Sequence, residues 1–323
     1  MKLFRNILLA VLILLLVSGL GGYFYMRKKF EPAANQLVVA GLPATLNFAW
    51  HASGVKPVNP HAGLLVPVTL PGCPRTCYLQ FDTGSPSTLL YANALAALRK
   101  EYPATAQRLL PQADTVRDVT FTLDQATVQA HWLRTLQYGA TELPTDNTEH
   151  FIIGTLGADV LDGRVLVIDY AHQRISLTTQ VPDSLARRAA FVPLDYASRR
   201  IILTAQVQGQ DEKLLFDSGS SAFSLITSHA TWQQMAQPQA PVLTAASNSM
   251  GRKLTTYTTA TTEAMQLNHM TVPFGDVTYV EGTSLMQNTL MRFSGMGGML
   301  GNKAFEQHTI VLDVPGGRFG VVR

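Results

Sequence analysis

Charge is scarce in this sequence: 15% of its 323 residues are acidic or basic, against 46% apolar. A disordered or coiled-coil chain is thereby excluded, and a well-buried globular body is expected. The basic residues are single or in short pairs such as Arg187-Arg188 and Arg199-Arg200, apart from Arg27-Lys28-Lys29 beside an apolar run, and the net charge is only +3. No cationic stripe tracks a phosphate backbone, so nucleic acid is not an expected partner. The eight histidines are scattered, and neither a His-Glu-x-x-His pair nor a Gly-x-Ser-x-Gly elbow occurs. Zinc-peptidase and serine-hydrolase chemistry are set aside on that ground.

Cysteine is nearly missing as well. Cys73 and Cys77 lie in "TLPGCPRTCYL", and two thiols are too few for a four-ligand zinc site. A Pro/Gly turn between two apolar strands would bring the sulfurs close enough to bridge. The expectation is a disulfide in an extracytoplasmic body, periplasmic or on the cell surface; the alternative is a pair of reduced thiols in a cytosolic hairpin.

One long apolar run is present. Residues 7–26, behind Lys2 and Arg5, carry no charge and as a helix would cross a hydrocarbon layer, so a single-pass membrane anchor is expected. A cleaved signal peptide, with its apolar core at 7–17 and small residues at 18–22, is the competing reading. Basic residues flank both ends and leave the orientation open. The length of the remainder calls for two compact units. The expected organisation is an anchor over 1–30, a stem over 31–60, a first lobe over 61–182 and a second over 183–323.

Beyond the stem, short runs rich in Val, Ile, Leu and Thr dominate, including "GLLVPVTL", "CYLQFDTG", "VTFTL", "ATVQAHWL", "RVLVIDY" and "RRIILTAQVQG". These read as strands. Helical spacing is confined to residues 91–102 and 228–237. The fold class is therefore all-β, with a few short helices.

An internal repeat organises the strands. "LQFDTGSPSTLL" is echoed by "LLFDSGSSAFSL", matching Asp82 with Asp217, and each copy follows a hairpin-like pair of apolar strands. Further on, Leu156-Gly157 precedes Asp169 by the same twelve residues from the glycine that separate Gly301, after Leu300, from Asp313. A duplicated fold packs about a pseudo-two-fold axis, where matched loops face each other. Asp82 and Asp217 are the residues that would meet there.

Two adjacent carboxylates cannot both ionise cheaply, so the pair holds one proton and acts as acid and base together. Gly84 and Gly219 would leave room beside them for water and substrate. Thr83 and Ser218 would hydrogen-bond across the junction, and Ser85 and Ser220 would hold the carboxylates in orientation. A single Asp-Thr-Gly is an ordinary turn; two matched copies in a repeat are not. "GMGGMLG" has Leu300 where a dinucleotide loop needs its third glycine, and an aspartyl-phosphate enzyme would need an acid where Gly84 stands.

At these residues the chain resembles the pepsin-type aspartic proteases, in a bacterial-like membrane-anchored form. Phe81-Asp82-Thr83-Gly84-Ser85 and Phe216-Asp217-Ser218-Gly219-Ser220 are its paired signature. The resemblance, over residues 60 to 323, implies a bilobal fold acting as a monomer. It implies a peptide or protein substrate in the cleft, apolar side chains flanking the scissile bond, and no cofactor. There are departures. The counterpart of the family's flap, residues 119–133, has Asp124-Gln125 at its turn and no tyrosine, Thr155 replaces an apolar residue, and the short spacing from Asp82 to Asp217 suggests trimmed loops. The expected function is an aspartic endopeptidase using Asp82 and Asp217 on one water; the alternative is a catalytically silent, membrane-tethered peptide-binding module.

Overall fold

A computed structural model describes Asn6, Leu14, 17–19, 21, 22, Tyr25, Lys28, 31–106, 109–146, 148–249, 252–283 and 296–322. The chain divides into two compact units, Met1–Ala34 and Asn35–Arg323. In the first, the described residues from Asn6 to Lys28 are helical, and the side chains of Leu14, Val17 and Tyr25 are exposed. Most of the apolar run 7–26 lies outside the described residues. Among those described, no helix is long and apolar enough to cross a membrane.

The second unit is mainly β, arranged in two sheets. Phe81 and Phe216, each fully buried and one residue before an aspartate, lie in its core; burying such a side chain contributes roughly 2–3 kcal/mol. Phe216 packs edge-on against Phe305 at 5.7 Å. These contacts fix the ends of the two strands that deliver the carboxylates.

The repeat seen in the sequence is a repeat of topology. Gly63–Val68 and Cys77–Asp82 form an antiparallel pair, and Ile152–Gly157 inserts parallel to the second of them and antiparallel to Leu89–Tyr91. Leu89–Tyr91 then runs parallel to Ala126–Leu136. In the second half, Ile201–Val207 pairs with Gln210–Phe216, Met296–Leu300 inserts parallel to it and antiparallel to Leu225–Ile226, and that strand runs parallel to Asp276–Glu281. Strand order and polarity are the same in both.

The halves share one ladder. Val165–Asp169 pairs antiparallel with Thr309–Asp313, with Val167 opposite Val311 and Val165 opposite Asp313. These strands are equivalent under the offset that relates Gly157 to Gly301, so the ladder is self-complementary about the Val167–Val311 pair. Six strands continue across this junction, from Ala190–Asp195 through Arg318–Val322, Thr309–Asp313, Val165–Asp169 and Arg174–Thr178 to Ala44–Asn47.

Ala44–Asn47 belongs to the segment expected as a stem. Residues 31–60 instead supply three strands: Leu37–Ala40 pairs with Ala126–Leu136, Ala44–Asn47 with Arg174–Thr178, and Ala49–His51 with Gly63–Val68. Leu37, Ala44 and Phe48 are buried, and His61 bonds Glu306 of the second half at 3.0 Å. This segment contributes strands to both sheets and is not a loose stem.

Two further expectations change. The Asp124-Gln125 turn is not a free flap: the Gln125 side chain donates to the Pro43 carbonyl, and the Thr45 N–H reaches Asp124 Oδ2 at 3.5 Å. The hairpin is clasped to the N-terminal strands. Cys73 and Cys77 form no disulfide; both are buried free thiols. Their sulfurs converge on one turn carbonyl, that of Arg75, at 3.4 and 3.9 Å. Burial, with Cys73 alongside, pushes the Cys77 thiol far up, so the reactive thiolate is strongly disfavoured.

The expected helices are present as Ala92–Glu101 and His229–Met235. The latter starts where Ser228 accepts the Thr231 N–H at its N-terminus, satisfying one of the donors that a helix start leaves free.

Candidate active site

Strands Cys77–Asp82 and Gln210–Phe216 end at the same place from opposite halves, and the loops that follow them interlock. The Thr83 N–H donates to Ser218 Oγ at 3.0 Å, and the Ser218 N–H donates to Thr83 Oγ1 at 2.9 Å. Each hydroxyl passes its own proton to the far half: Thr83 Oγ1 to the Phe216 carbonyl and Ser218 Oγ to that of Phe81, both at 3.0 Å. Thr83 and Ser218 are buried, so every one of these four bonds replaces lost hydration.

This lock brings the expected pair together. The carboxyl groups of Asp82 and Asp217 face each other closely enough for the charge of Asp217 to act on Asp82. Each is also held by its own loop, Gly84 N–H to Asp82 Oδ1 and Gly219 N–H to Asp217 Oδ1, both at 2.9 Å. Each carboxylate lies against the glycine of the opposite loop, and a Cβ placed on Gly84 or on Gly219 would stand 2.5 Å from the facing Oδ1. Only glycine fits at these two positions.

Burial, then the charge and hydrogen bond of Asp217, push the Asp82 carboxyl up to about 8, against the smaller opposing effect of the Gly84 and Ser85 N–H groups. One proton is therefore retained by the pair at neutral pH. Ser220 Oγ donates to Asp217 Oδ2 at 2.8 Å, as expected. Ser85 does not repeat it: its hydroxyl donates to the Ser87 carbonyl at 2.9 Å, and only its N–H reaches Asp82, at 3.2 Å. The local turn at Pro86 offers a closer acceptor than the carboxylate does.

Beneath the loops lie residues that motif reading passed over. Asn302 donates from Nδ2 to the Ser218 carbonyl at 3.1 Å and to Ser221 Oγ at 3.0 Å, while accepting the Tyr170 hydroxyl at 2.8 Å. In the first half, Asp159 accepts from the N–H and hydroxyl of Thr88 at 2.8 and 2.7 Å. The one available signal was position, since Asn302 follows Leu300-Gly301 directly and Asp159 lies two residues after Leu156-Gly157. Glycine is needed at both steps, because a side chain there would strike the backbone of Ser87 or Ser220. Thr155, out of place for an apolar position, shares a hydrogen bond of 2.8 Å with the buried Tyr91 hydroxyl.

An ion pair ties the loop to the second half. Arg199 bonds Asp162 at 3.0 Å and reaches the Pro86 carbonyl at 3.3 Å, and the Tyr196 hydroxyl meets Asp162 at 2.9 Å. Among the described residues, no group of three or more His, Cys, Asp or Glu side chains converges as a metal site would require. No protein-family model matches the chain, and no curated protein matches it at significant similarity.

Proposed function

We propose that the chain is a pepsin-type aspartic endopeptidase, in which Asp82 and Asp217 activate one water against a peptide carbonyl. The observation that carries the reading is the reciprocal Thr83–Ser218 lock, which draws together the two loops that bear the carboxyl groups at the end of matched strands. Asp217 takes a proton from the water as its oxygen attacks, and Asp82 donates its proton to the carbonyl oxygen. The tetrahedral diol then collapses: the C–N bond breaks, a proton passes to the leaving amine, and the pair returns to its single-proton state.

Family resemblance puts apolar side chains on either side of the scissile bond and makes the enzyme a monomer without a cofactor. The run 7–26 is proposed as a membrane anchor, which the exposed Leu14 and Val17 support. The extracytoplasmic expectation rested on a disulfide that does not form, so the proposal stops at the anchor. The test is to incubate the full chain with a diverse peptide mixture from pH 3 to 8 and identify new termini by mass spectrometry. Reproducible cleavage supports the enzyme, and binding without new termini supports a silent peptide-binding module.

A further inference from the structure

The two halves treat the hydroxyl beside each aspartate differently, and the difference ends on a methionine. Ser220 Oγ, which donates to Asp217 Oδ2 at 2.8 Å, also lies 3.2 Å from the sulfur of Met299. The offset that relates Gly157 to Gly301 puts Thr155 at the matching place in the first half. There the Thr155 hydroxyl is bonded to Tyr91, and Ser85 turns its own hydroxyl to the Ser87 carbonyl. Among the described residues of the two loops, only Asp217 has a side-chain hydroxyl donor with a sulfur beside it.

Strand register fixes where that sulfur points. Met296–Leu300 runs parallel to Gln210–Phe216, with Leu300 beside Phe216 and Met299 beside Leu215. Side chains alternate along a strand, so Leu300 and Phe216 fill the core while Met299 and Leu215 stand on the opposite face, half-buried. The Asp217 N–H donates to the Leu300 carbonyl at 2.8 Å, which holds the Met299 strand against the loop that carries the carboxylate. Met299 thus reaches solvent, whereas Met235 and Met265 are buried. A thioether is a weak acceptor and leaves the Ser220 proton with Asp217. Oxidation replaces it with a polar sulfoxide, whose oxygen competes for that proton.

We propose that Met299 is a reversible oxidation site, with a peroxide as the oxidant, that acts on the dyad through Ser220; its effect on turnover rests on the peptidase reading above. The sulfur lone pair attacks one peroxide oxygen, and an S–O bond forms as the O–O bond breaks. The departing hydroxide takes the proton from the transferred hydroxyl and leaves as water. Sulfur is oxidised and the peroxide is reduced. The new oxygen, carried on a sulfur already beside Ser220 Oγ, accepts the hydroxyl proton that Asp217 Oδ2 otherwise receives. Asp217 is then held through Oδ1 by the Gly219 N–H, its Oδ2 is released, and the carboxylate turns out of line with Asp82. Met299 is in this sense a positioning residue.

The test treats the full chain with millimolar hydrogen peroxide and locates sulfoxide by mass spectrometry. Met299 should oxidise well ahead of Met235 and Met265, with kcat falling at least tenfold, KM within about twofold and circular dichroism unchanged. Methionine sulfoxide reductase with a dithiol should restore the rate. Each variant is compared with its own untreated rate: Met299→Leu should keep that rate after peroxide, and Ser220→Ala, with no proton to divert, should lose less than about twofold when Met299 is oxidised. A second readout needs no turnover and so holds whether or not the chain is a peptidase. The carboxyl-carbon NMR signal of Asp217, assigned by its loss in Asp217→Asn, should move on oxidation of the unmodified chain and stay in place in Ser220→Ala. If no peptide is cleaved, that signal decides. Oxidation of Met299 no faster than of Met235, an equal loss of rate in Met299→Leu or Ser220→Ala, or an Asp217 signal that does not move would each overturn the proposal.

Discussion

Gly84 faces the carboxylate of Asp217, and a single added methyl group would stand 2.5 Å from its Oδ1. The reciprocal approach of Gly219 to Asp82 is equally tight, so neither loop has room for a side chain at its glycine.

Substituting either glycine should displace the opposite aspartate and leave the rest of the fold intact. Gly84→Ala and Gly219→Ala are expected to bind peptide while losing at least a hundredfold in kcat, because reacting groups moved by about 1 Å lose on the order of that factor. Steady-state kinetics with circular dichroism as a fold control checks this; near-normal kcat in Gly84→Ala would contradict it.

The Thr83–Ser218 lock predicts a stability difference between two conservative changes. Thr83→Val keeps the shape but deletes the hydroxyl and strands the Ser218 N–H, which should cost about 2–4 kcal/mol. Thr83→Ser keeps all four bonds and should cost about 1 kcal/mol for the lost methyl. Urea unfolding of both variants reads the contrast.

A pH dependence follows from the raised Asp82 carboxyl. Its ordinary value is 3.8 and its folded value about 8, so the folded state holds this proton more tightly than the unfolded chain does. Folding stability therefore falls as pH rises from about 4 to about 8, by on the order of 5 kcal/mol. Asp82→Asn cannot ionise and removes that slope. Its Tm should match the parent at pH 4 and exceed it by roughly 10–20 °C at pH 8. Peptide cleavage by the unmodified chain should decline above about pH 8, and a rate maximum below pH 3 would count against this assignment.

Arg199 and Asp162 test the connection behind the first loop. The guanidinium is largely buried and its partner half-exposed, and removing one member of such a pair leaves an uncompensated charge. Arg199→Met is expected to destabilise the chain by about 3 kcal/mol, with much of the loss recovered when Asp162→Asn is added. A double-mutant cycle measures the coupling.

Much of this arrangement was legible in the sequence because it is carried by local pattern. The paired aspartate motifs, the strands around them and the matched Leu-Gly steps are contiguous runs whose repetition is visible without any knowledge of contacts. Residues 31–60 were not, because each of their three strands is only three or four residues long and finds its partner far along the chain, as when Ala44–Asn47 joins Arg174–Thr178. Asn302 and Tyr170 were hidden for the same reason: an asparagine and a tyrosine acquire meaning only when folding brings them beneath Ser218. Ser85 and Ser220 look equivalent as letters, yet the neighbouring Pro86 and Ser87 draw the first hydroxyl elsewhere. Spacing alone placed Cys73 and Cys77 together; that both sulfurs address the Arg75 carbonyl depends on turn geometry that composition does not encode.

The most direct measurement is the rate of cleavage of one identified peptide, across pH 3 to 9, by the unmodified chain and by Asp82→Asn and Asp217→Asn. If the two carboxyl groups share a proton over a single water, either substitution should reduce kcat by at least a thousandfold, with the fold intact and peptide affinity within a few-fold. Cleavage that persists at a similar rate in either variant would show that the pair does not perform the chemistry.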